Sequence, residues 1–340
     1  DHPSLNVRAG PVGDRFLAGQ RRFSRVEILH DQIDRLPSSR AVVATIGVFD
    51  GVHLGHQEVF RCVHQVADRL GVGTAVVTFD SHPAHVVRPQ SAPRLLTSLD
   101  QKLELLAAQG LDYAYVIEFD ASRASTPPDQ FVEQVFRDSL HAKAIVVGED
   151  FHFGKGRRGN VDELSRLGEL WGFEVHPLDL IRLSDDHTEP VSSTAIRRAL
   201  AGGEVATAAE MLGRPYEVRG VVLHGDERGR TIGFPTANIP VPKLMAWPAD
   251  GVYAGWATRA DGTRHPCAIN IGRRPTFHDD ADESVLEAHL IDFDGDLYGE
   301  SMAVSFVRFL RSERKFEGID QLADQLKSDI DSARRVLGVA

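Results

Sequence analysis

The sequence predicts an α/β protein carrying an added β domain. The first half reads as a Rossmann-like, doubly wound parallel sheet, and the second as an antiparallel β-barrel with a terminal helix. Three observations carry this. Residues 40–180 alternate apolar strand-like runs with amphipathic helical patterns, as βαβ units around a parallel sheet do. Beyond residues 199–214 the helical spacing gives way to a series of β runs. Helical spacing returns only at residues 319–337.

The elements follow in order. Residues 42–48 are almost wholly apolar and rich in β-branched side chains, as in a strand buried on both faces. The helix expected over 55–70 spaces Val59, Phe60, Val63, Val66, Ala67 and Leu70 by threes and fours, and Gly71 stops it. Further strands are expected at 74–79, 113–119, 144–148 and 173–178, with helices over 99–109, 128–140 and 161–171. Pro127 and Pro128 open the third helix, and Gly110 closes the second. Another helix starts at SSTAIRRAL, capped by Ser192, Ser193 or Thr194. The β runs of the second half are 216–224, 252–259, 264–272, 285–293 and 302–310. Asp261-Gly262 and Asp294-Gly295 read as hairpin turn pairs. The expected domains are 21–200 and 214–340, joined by a linker at 201–213.

Composition narrows the function class. The chain has 340 residues, 42% hydrophobic and 26% charged, with a net charge of −11. That balance disfavours a nucleic-acid-binding face. Nucleotides need only local positive charge. No segment approaches the roughly 20 apolar residues of a membrane span. The N-terminal DHPSLNVRAG lacks the apolar core of a signal peptide and an initiator Met, so the numbering is read as starting inside the gene product or in sequence added to it. Cys62 and Cys267 fall in different expected domains. A disulfide is not expected, and a cytoplasmic location is. The oligomeric state stays open, a homo-oligomer included.

The motif that weighs most is IGVFDGVHLGH at 46–56. It sets His53 and His56 three apart, between a strand and a helix, among Gly51 and Gly55. A strand–glycine loop–helix unit presents N–H groups and a helix N-terminus to an anion. TFDSHP (78–83), VGEDFHFG (147–154) and SSTAIRR (192–198) fall at later strand ends or a helix start. In an open α/β sheet those places share the ligand-binding edge. The segment 46–56 resembles the G-x-[FY]-D-G-x-H-x-G-H signature of prokaryotic bifunctional FAD synthetases, over roughly residues 20 to 338. The second half is similar to the same family through GDERGRTIGFPTANI (225–239), whose PTAN resembles the riboflavin kinase signature. There is no P-loop.

The resemblance implies two chemistries. The second half would phosphorylate riboflavin with ATP to give FMN and ADP. The first half would adenylylate FMN with a second ATP, giving FAD and pyrophosphate. FMN and FAD are then products, and Mg2+ is held mainly by substrate phosphates. In the first half the resemblance makes His53, His56 and Arg197 catalytic. It places Gly47, Phe49, Asp50, Gly51, Gly55, Ser193 and Thr194 on ATP phosphates. Asp50 is equally readable as a turn-stabilising side chain. His82, Asp150 and Phe151 are assigned to flavin, Asp150 to its phosphate end or else to the adenosine, and Phe151 also being readable as packing. TFDSHP departs from the usual F-x-P-H-P at Ser81. In the second half Gly225, Arg230 and Gly233 are assigned to phosphate, and Asn270 and Arg311 to flavin. Thr236 and Asn238 supply oxygens suited to Mg2+, or cap a turn. Glu287 stands among Val285, Leu286, Ala288, Leu290 and Ile291. A charge in such a strand is costly unless used or paired, and the family's glutamate acts as base on the riboflavin 5′-hydroxyl. A carboxylate at a barrel rim is the plain alternative. Two rival functions stand beside this reading: another nucleotidyltransferase, which has no use for PTAN and Glu287, and a flavin-binding regulator with decayed catalysis, against which the retained His53, His56, Arg197, Asn238 and Glu287 argue.

Overall fold

The computed structural model describes residues 26–178, 190–225, 233–273, 284–314 and 316–339. They form two compact units, one drawn from Phe23–Tyr216 with Pro242–Ala249, the other from Glu217–Val241 with Asp250–Ala340.

The first unit is built on a six-stranded sheet. Its strands are β1 (Glu27–His30), β2 (Val42–Ile46), β3 (Gly73–Phe79), β4 (Tyr113–Ile117), β5 (Ala142–Gly148) and β6 (Glu174–Leu178). Their order is β1-β4-β3-β2-β5-β6, and every pairing is parallel. The order reverses between β2 and β5, so the carboxyl ends of these strands flank the switch point where open α/β sheets bind ligands. The helices are α1 (Leu54–Leu70), α2 (Pro83–Val87), α3 (Leu99–Ala107), α4 (Pro128–Val132), α5 (Val161–Trp171), α6 (Ser193–Ala201) and α7 (Val205–Leu212). Both sheet faces are covered. Val43, Val76 and Val146 pack with Phe60, Val63 and Leu106 of α1 and α3. Val42, Ala44, Val77 and Ile145 pack on the other side with Phe131, Phe136, Leu164 and Leu167. The doubly wound sheet is as the sequence predicts.

Local chemistry sets the boundaries. His53 caps α1 by accepting from the His56 N–H, and Gly71 ends it in the left-handed conformation. Of the three candidate caps of α6, Ser192 is the one that accepts from a backbone N–H, that of Ala195. The helix expected over 128–140 continues beyond α4 as wider π turns over Glu133–Ser139. The expected linker 201–213 contains α7 and groups with the first unit. β1 was not expected. It is an edge strand with only Leu29 buried, so it lacks an apolar run.

The second unit is an antiparallel sheet in the order β7-β12-β9-β10-β11-β8. The strands are β7 (Tyr216–Val221), β8 (Ala237–Pro240), β9 (Gly251–Arg259), β10 (Arg264–Arg273), β11 (Ser284–Leu290) and β12 (Ser301–Arg311). A bridge between Leu223 and Asn238 brings the chain beyond β7 against β8 and nearly closes the barrel. Tyr253, Ile269, Leu286, Ala288 and Phe306 are fully buried. The terminal helix α8 (Ile319–Leu337) packs Ala333 against Ala254, Ala268 and Ile291. Asp261-Gly262 is the β9–β10 turn, with Gly262 at φ +84°. Asp294-Gly295 is not a tight hairpin turn: β11 pairs with β10 and β8, and β12 with β9. β8 was not expected as a strand because its four residues ANIP carry too short an apolar signal.

A buried ion pair ties α4's surroundings to the edge strand. The Arg123 guanidinium donates through Nε to Asp31 Oδ2 at 2.9 Å, and Asp31 also accepts from the Tyr115 hydroxyl at 2.9 Å. Both charged side chains are almost wholly buried. Arg123→Met leaves the Asp31 carboxylate buried without its counter-ion. It is expected to cost about 3–5 kcal/mol in urea denaturation of the full chain, and replacing both partners with apolar residues recovers most of that loss.

Candidate functional site

The loop between β2 and α1 is built under backbone strain. Phe49, Gly51 and Val52 have φ of +51°, +83° and +42°, a region that a β-branched residue rarely enters. At Gly51 a Cβ would come 2.8 Å from Leu96 Cδ1. Such strain persists only where the surroundings over-determine it, and here they do. Asp50, buried to 4% exposure, accepts from Leu96 N at 2.9 Å, Thr97 N at 3.0 Å and Thr97 Oγ1 at 3.2 Å. The same carboxylate pairs with the Arg197 guanidinium. Thr97 Oγ1 accepts from Gly51 N at 3.2 Å, and Ser193 Oγ donates to the Asp50 carbonyl at 2.8 Å. Arg214 donates to the Gly51 carbonyl at 2.7 Å, and Gln57 to that of Val52 at 3.1 Å.

This frame places the two signature histidines at the start of α1. Their rings stack with centroids 3.5 Å apart, and the Phe49 ring meets the His56 ring edge-on at 5.1 Å. Burial lowers the His53 pKa to about 4, helped by Arg214 and Arg197. Burial also lowers that of His56, followed by His53 and Lys102. Both imidazoles are therefore neutral near pH 7. His82 caps α2 by accepting from Ala84 N. Its pKa is lowered to about 4 by desolvation and then by Arg197, which puts it in the field of the same cluster.

The other first-half candidates divide. Phe49 is buried to 4% exposure, so its ring supports the loop and only its backbone can face a phosphate. Gly47 lies under that ring, and Gly55 lies against His53. Thr194 is exposed at the start of α6. Asp150 is exposed beyond β5, while Phe151 stacks on Phe153 at 5.3 Å and packs on the core. Lys102, Thr97 and Arg214 were missed from sequence. Lys102 Nζ donates to the Phe79 carbonyl at 2.7 Å and the Val48 carbonyl at 3.3 Å, pinning the chain at the ends of β3 and β2. It stands four residues before Leu106 on the buried face of α3, where a charge is itself a signal.

In the second unit the sheet register assembles the candidates. Asn238, Glu287 and Asn270 are successive partners across β8, β11 and β10. Val252 on β9 pairs with Asn270 and continues the row to Arg311 on β12. Directly opposed residues share a sheet face. Glu287 alternates with buried Leu286 and Ala288, so it stands on the other, partly exposed face. The expected burial cost of a charge in an apolar strand is thus avoided by alternation. Arg311 donates to Asp329 of α8 at 2.9 and 2.6 Å. Glu313 hydrogen-bonds Asn270, and desolvation first, then Asp250, raises its pKa. The Asn238 amide donates to the Thr236 carbonyl at 3.3 Å and lies against the Gly225 backbone, where a Cβ would come within 2.4 Å. Gly233 is a turn residue at φ +87°. Arg230 lies outside the described residues.

Comparison with known proteins gives the family. Residues 35–195 match the FAD synthetase family model and residues 212–337 the riboflavin kinase model. The bifunctional riboflavin kinase/FMN adenylyltransferase of Listeria monocytogenes is 40% identical over 86% of this chain and 91% of its own length. The chain belongs to the bifunctional riboflavin kinase/FMN adenylyltransferase family. The Bacillus subtilis member is 37% identical over 86% of this chain and 92% of its own. The Escherichia coli K12 member is 36% identical over 87% and 93%. A crystal structure described as a macrolide-efflux protein from Streptococcus pneumoniae shares the fold, with a TM-score of 0.81 and 31% identity over 91% of this chain and 99% of that one. Its description stays with that protein. Among the described residues no helix is long and apolar enough to cross a membrane.

Two pH effects follow for this bifunctional family member. Between about pH 6.5 and 4 the unfolded chain binds protons that folded His53 and His82 refuse. Stability is therefore expected to fall as pH drops through that window, read as a falling melting temperature from pH 7 to 5. Burial lowers the Lys102 pKa to about 8, so its charge is lost as pH rises past that value. FAD formation from FMN is expected to decline there. Lys102→Met should lack that decline and run about 10- to 100-fold slower at pH 7, the scale of a charge-assisted hydrogen bond.

Proposed function

We propose that the two activities of the family divide between the two units, with named residues in each role. The chain phosphorylates riboflavin to FMN and adenylylates FMN to FAD. The assignment of the second step to the first unit rests on the stacked, neutral His53–His56 pair at the switch point of the parallel sheet.

Adenylyl transfer forms a bond from an FMN phosphate oxygen to the α-phosphorus of ATP and breaks the α–β bridge, so pyrophosphate leaves. A phosphate nucleophile is already ionised near pH 7. No general base is needed, and catalysis falls to positioning and to donors aimed at developing charge. Neutral imidazoles suit that task, since each donates one N–H without titrating. Arg197 brings a fixed donor fork, and the first turn of α1 contributes the positive end of a helix. Asp50 takes the part of holding Arg197 rather than touching phosphate. His82 and Asp150 are the candidates that face the flavin end.

Kinase chemistry differs, because an alcohol must lose its proton. Glu287 is the base proposed for the riboflavin 5′-hydroxyl, between Asn238 and Asn270 in the cross-strand row. Thr236 and Asn238 offer only neutral oxygens beside that carboxylate. This set fits a hard cation shared with nucleotide phosphates, and Mg2+ would neutralise phosphate charge there. Gly225 and Gly233 let backbone approach the phosphates. Asn270 and Arg311 lie toward the flavin. Free Cys62 and Cys267 suit a reducing cytoplasm.

Paired substitutions test the division. His56→Ala is expected to slow FAD formation from FMN by about 10²–10³, the usual cost of one transition-state donor, with riboflavin phosphorylation intact. Glu287→Gln should do the reverse, cutting FMN formation by about 10²–10⁴ without changing the melting temperature. Product separation from riboflavin, ATP and Mg2+ reads both. Equal loss of both activities in either variant would refute the division.

A further inference from the structure

We infer that the segment Pro242–Ala249 is a positioning element of the adenylyltransferase site, although it lies within the stretch that matches the riboflavin kinase model. It leaves the barrel after β8, docks in the first unit, and returns before β9. Its target is the loop 94–97. Leu95 and Met245 form a parallel bridge, Leu95 N donates to the Leu244 carbonyl at 2.6 Å, and Ala246 N donates to the Leu95 carbonyl at 2.7 Å. The Arg94 guanidinium lies 4.3 Å over the Trp247 ring, a favourable cation–π distance. The buried Tyr216 hydroxyl donates to the Ala246 carbonyl at 2.5 Å, and Ala249 N to the Leu200 carbonyl of α6 at 2.9 Å.

That loop is the one Asp50 depends on. The N–H groups of Leu96 and Thr97 hold the Asp50 carboxylate, and the Arg94 carbonyl accepts from Arg197 Nε. One side of the loop therefore fixes Asp50 and Arg197, and the other side is fixed by the segment. Three consecutive residues, Met245 to Trp247, carry the bridge, the hydrogen bond and the ring. Loosening them shifts the donors that set where the Arg197 fork stands. A displacement of about 1 Å in such a group can cost on the order of 10²-fold in rate. The segment touches no substrate in this scheme; it acts through the loop.

The inference rests on the adenylyltransferase reading of the first unit, and the test separates the two. Full-length chain is assayed for FAD from FMN and ATP, and for FMN from riboflavin and ATP, each with Mg2+. If wild-type protein made no FAD, the reading of the first unit would fail. Given that activity, Trp247→Ala is expected to lower kcat for FAD formation about tenfold, with FMN formation within twofold of wild type. Trp247→Phe keeps an aromatic face and should recover most of the loss. Tyr216→Phe removes one oxygen and serves if the Ala variant does not fold; it should lower FAD formation about three- to tenfold. In an Asp50→Asn background Trp247→Ala should cost nothing further, because both act through one loop. Unchanged FAD formation, equal loss of both activities, or full additivity with Asp50→Asn would each overturn the inference.

Discussion

Everything at the first site depends on one buried carboxylate. Asp50 accepts two backbone N–H groups and a hydroxyl from Leu96 and Thr97 and pairs with Arg197. A carboxylate this deep is tolerated because several donors share it. Its partners come from positions 46, 47 and 147 residues away, so a single side chain gathers the signature loop, the loop before α3 and helix α6. Phe49 and Val52 could relax their left-handed conformations if this centre were loose. The frame thus converts long-range hydrogen bonds into local strain, and the strain aims the start of α1.

The same frame explains why the histidines are neutral. Lys102, Arg197 and Arg214 surround a pair of buried rings. A further positive charge on an imidazole would sit in a region already positive and poorly hydrated, and desolvation alone disfavours it. At the proposed adenylyltransferase site the substrates would reverse that balance, since ATP and FMN bring several negative charges. A site built from fixed cations with neutral donors is matched to polyanions, and it does not rely on the protonation of His53 or His56 at neutral pH.

Much of this was legible in the sequence where the information is local. The apolar run of β2, the spacing of α1 and the bounds 161–171 and 319–337 of α5 and α8 all follow from neighbours in the chain. Glycine and histidine types pointed to the start of α1 as the candidate first site, and the structure holds those residues together there. What was not legible is long-range. Lys102 binds carbonyls 54 and 23 residues away, and Arg214 binds one 163 residues away; no periodicity reports such partners. The π turns over 133–139 share the apolar faces of an α-helix, so spacing could not separate them. β1 and β8 were hidden because each has only four residues, too short for an apolar run to register, and in β1 only Leu29 is buried. The domain reading placed residues 201–213 by their punctuation, whereas packing of α7 against α6 decides where they belong.

The second site depends on a different constraint, the register of the barrel. Asn238, Glu287 and Asn270 are dispersed in sequence and meet only because β11 pairs with β8 and β10 in one alignment. Side chains alternate with a period of two, so a slip of one residue in β11 would turn Glu287 into the barrel and expose Leu286 and Ala288. Both of those are fully buried. Burying such side chains is worth about 1.5–3 kcal/mol for the larger of them, and burying an unpaired carboxylate costs more. The apolar interior therefore holds the row on the opposite face in place. Packing that stabilises the barrel and placement of the proposed base are one requirement, met by the same seven-residue strand.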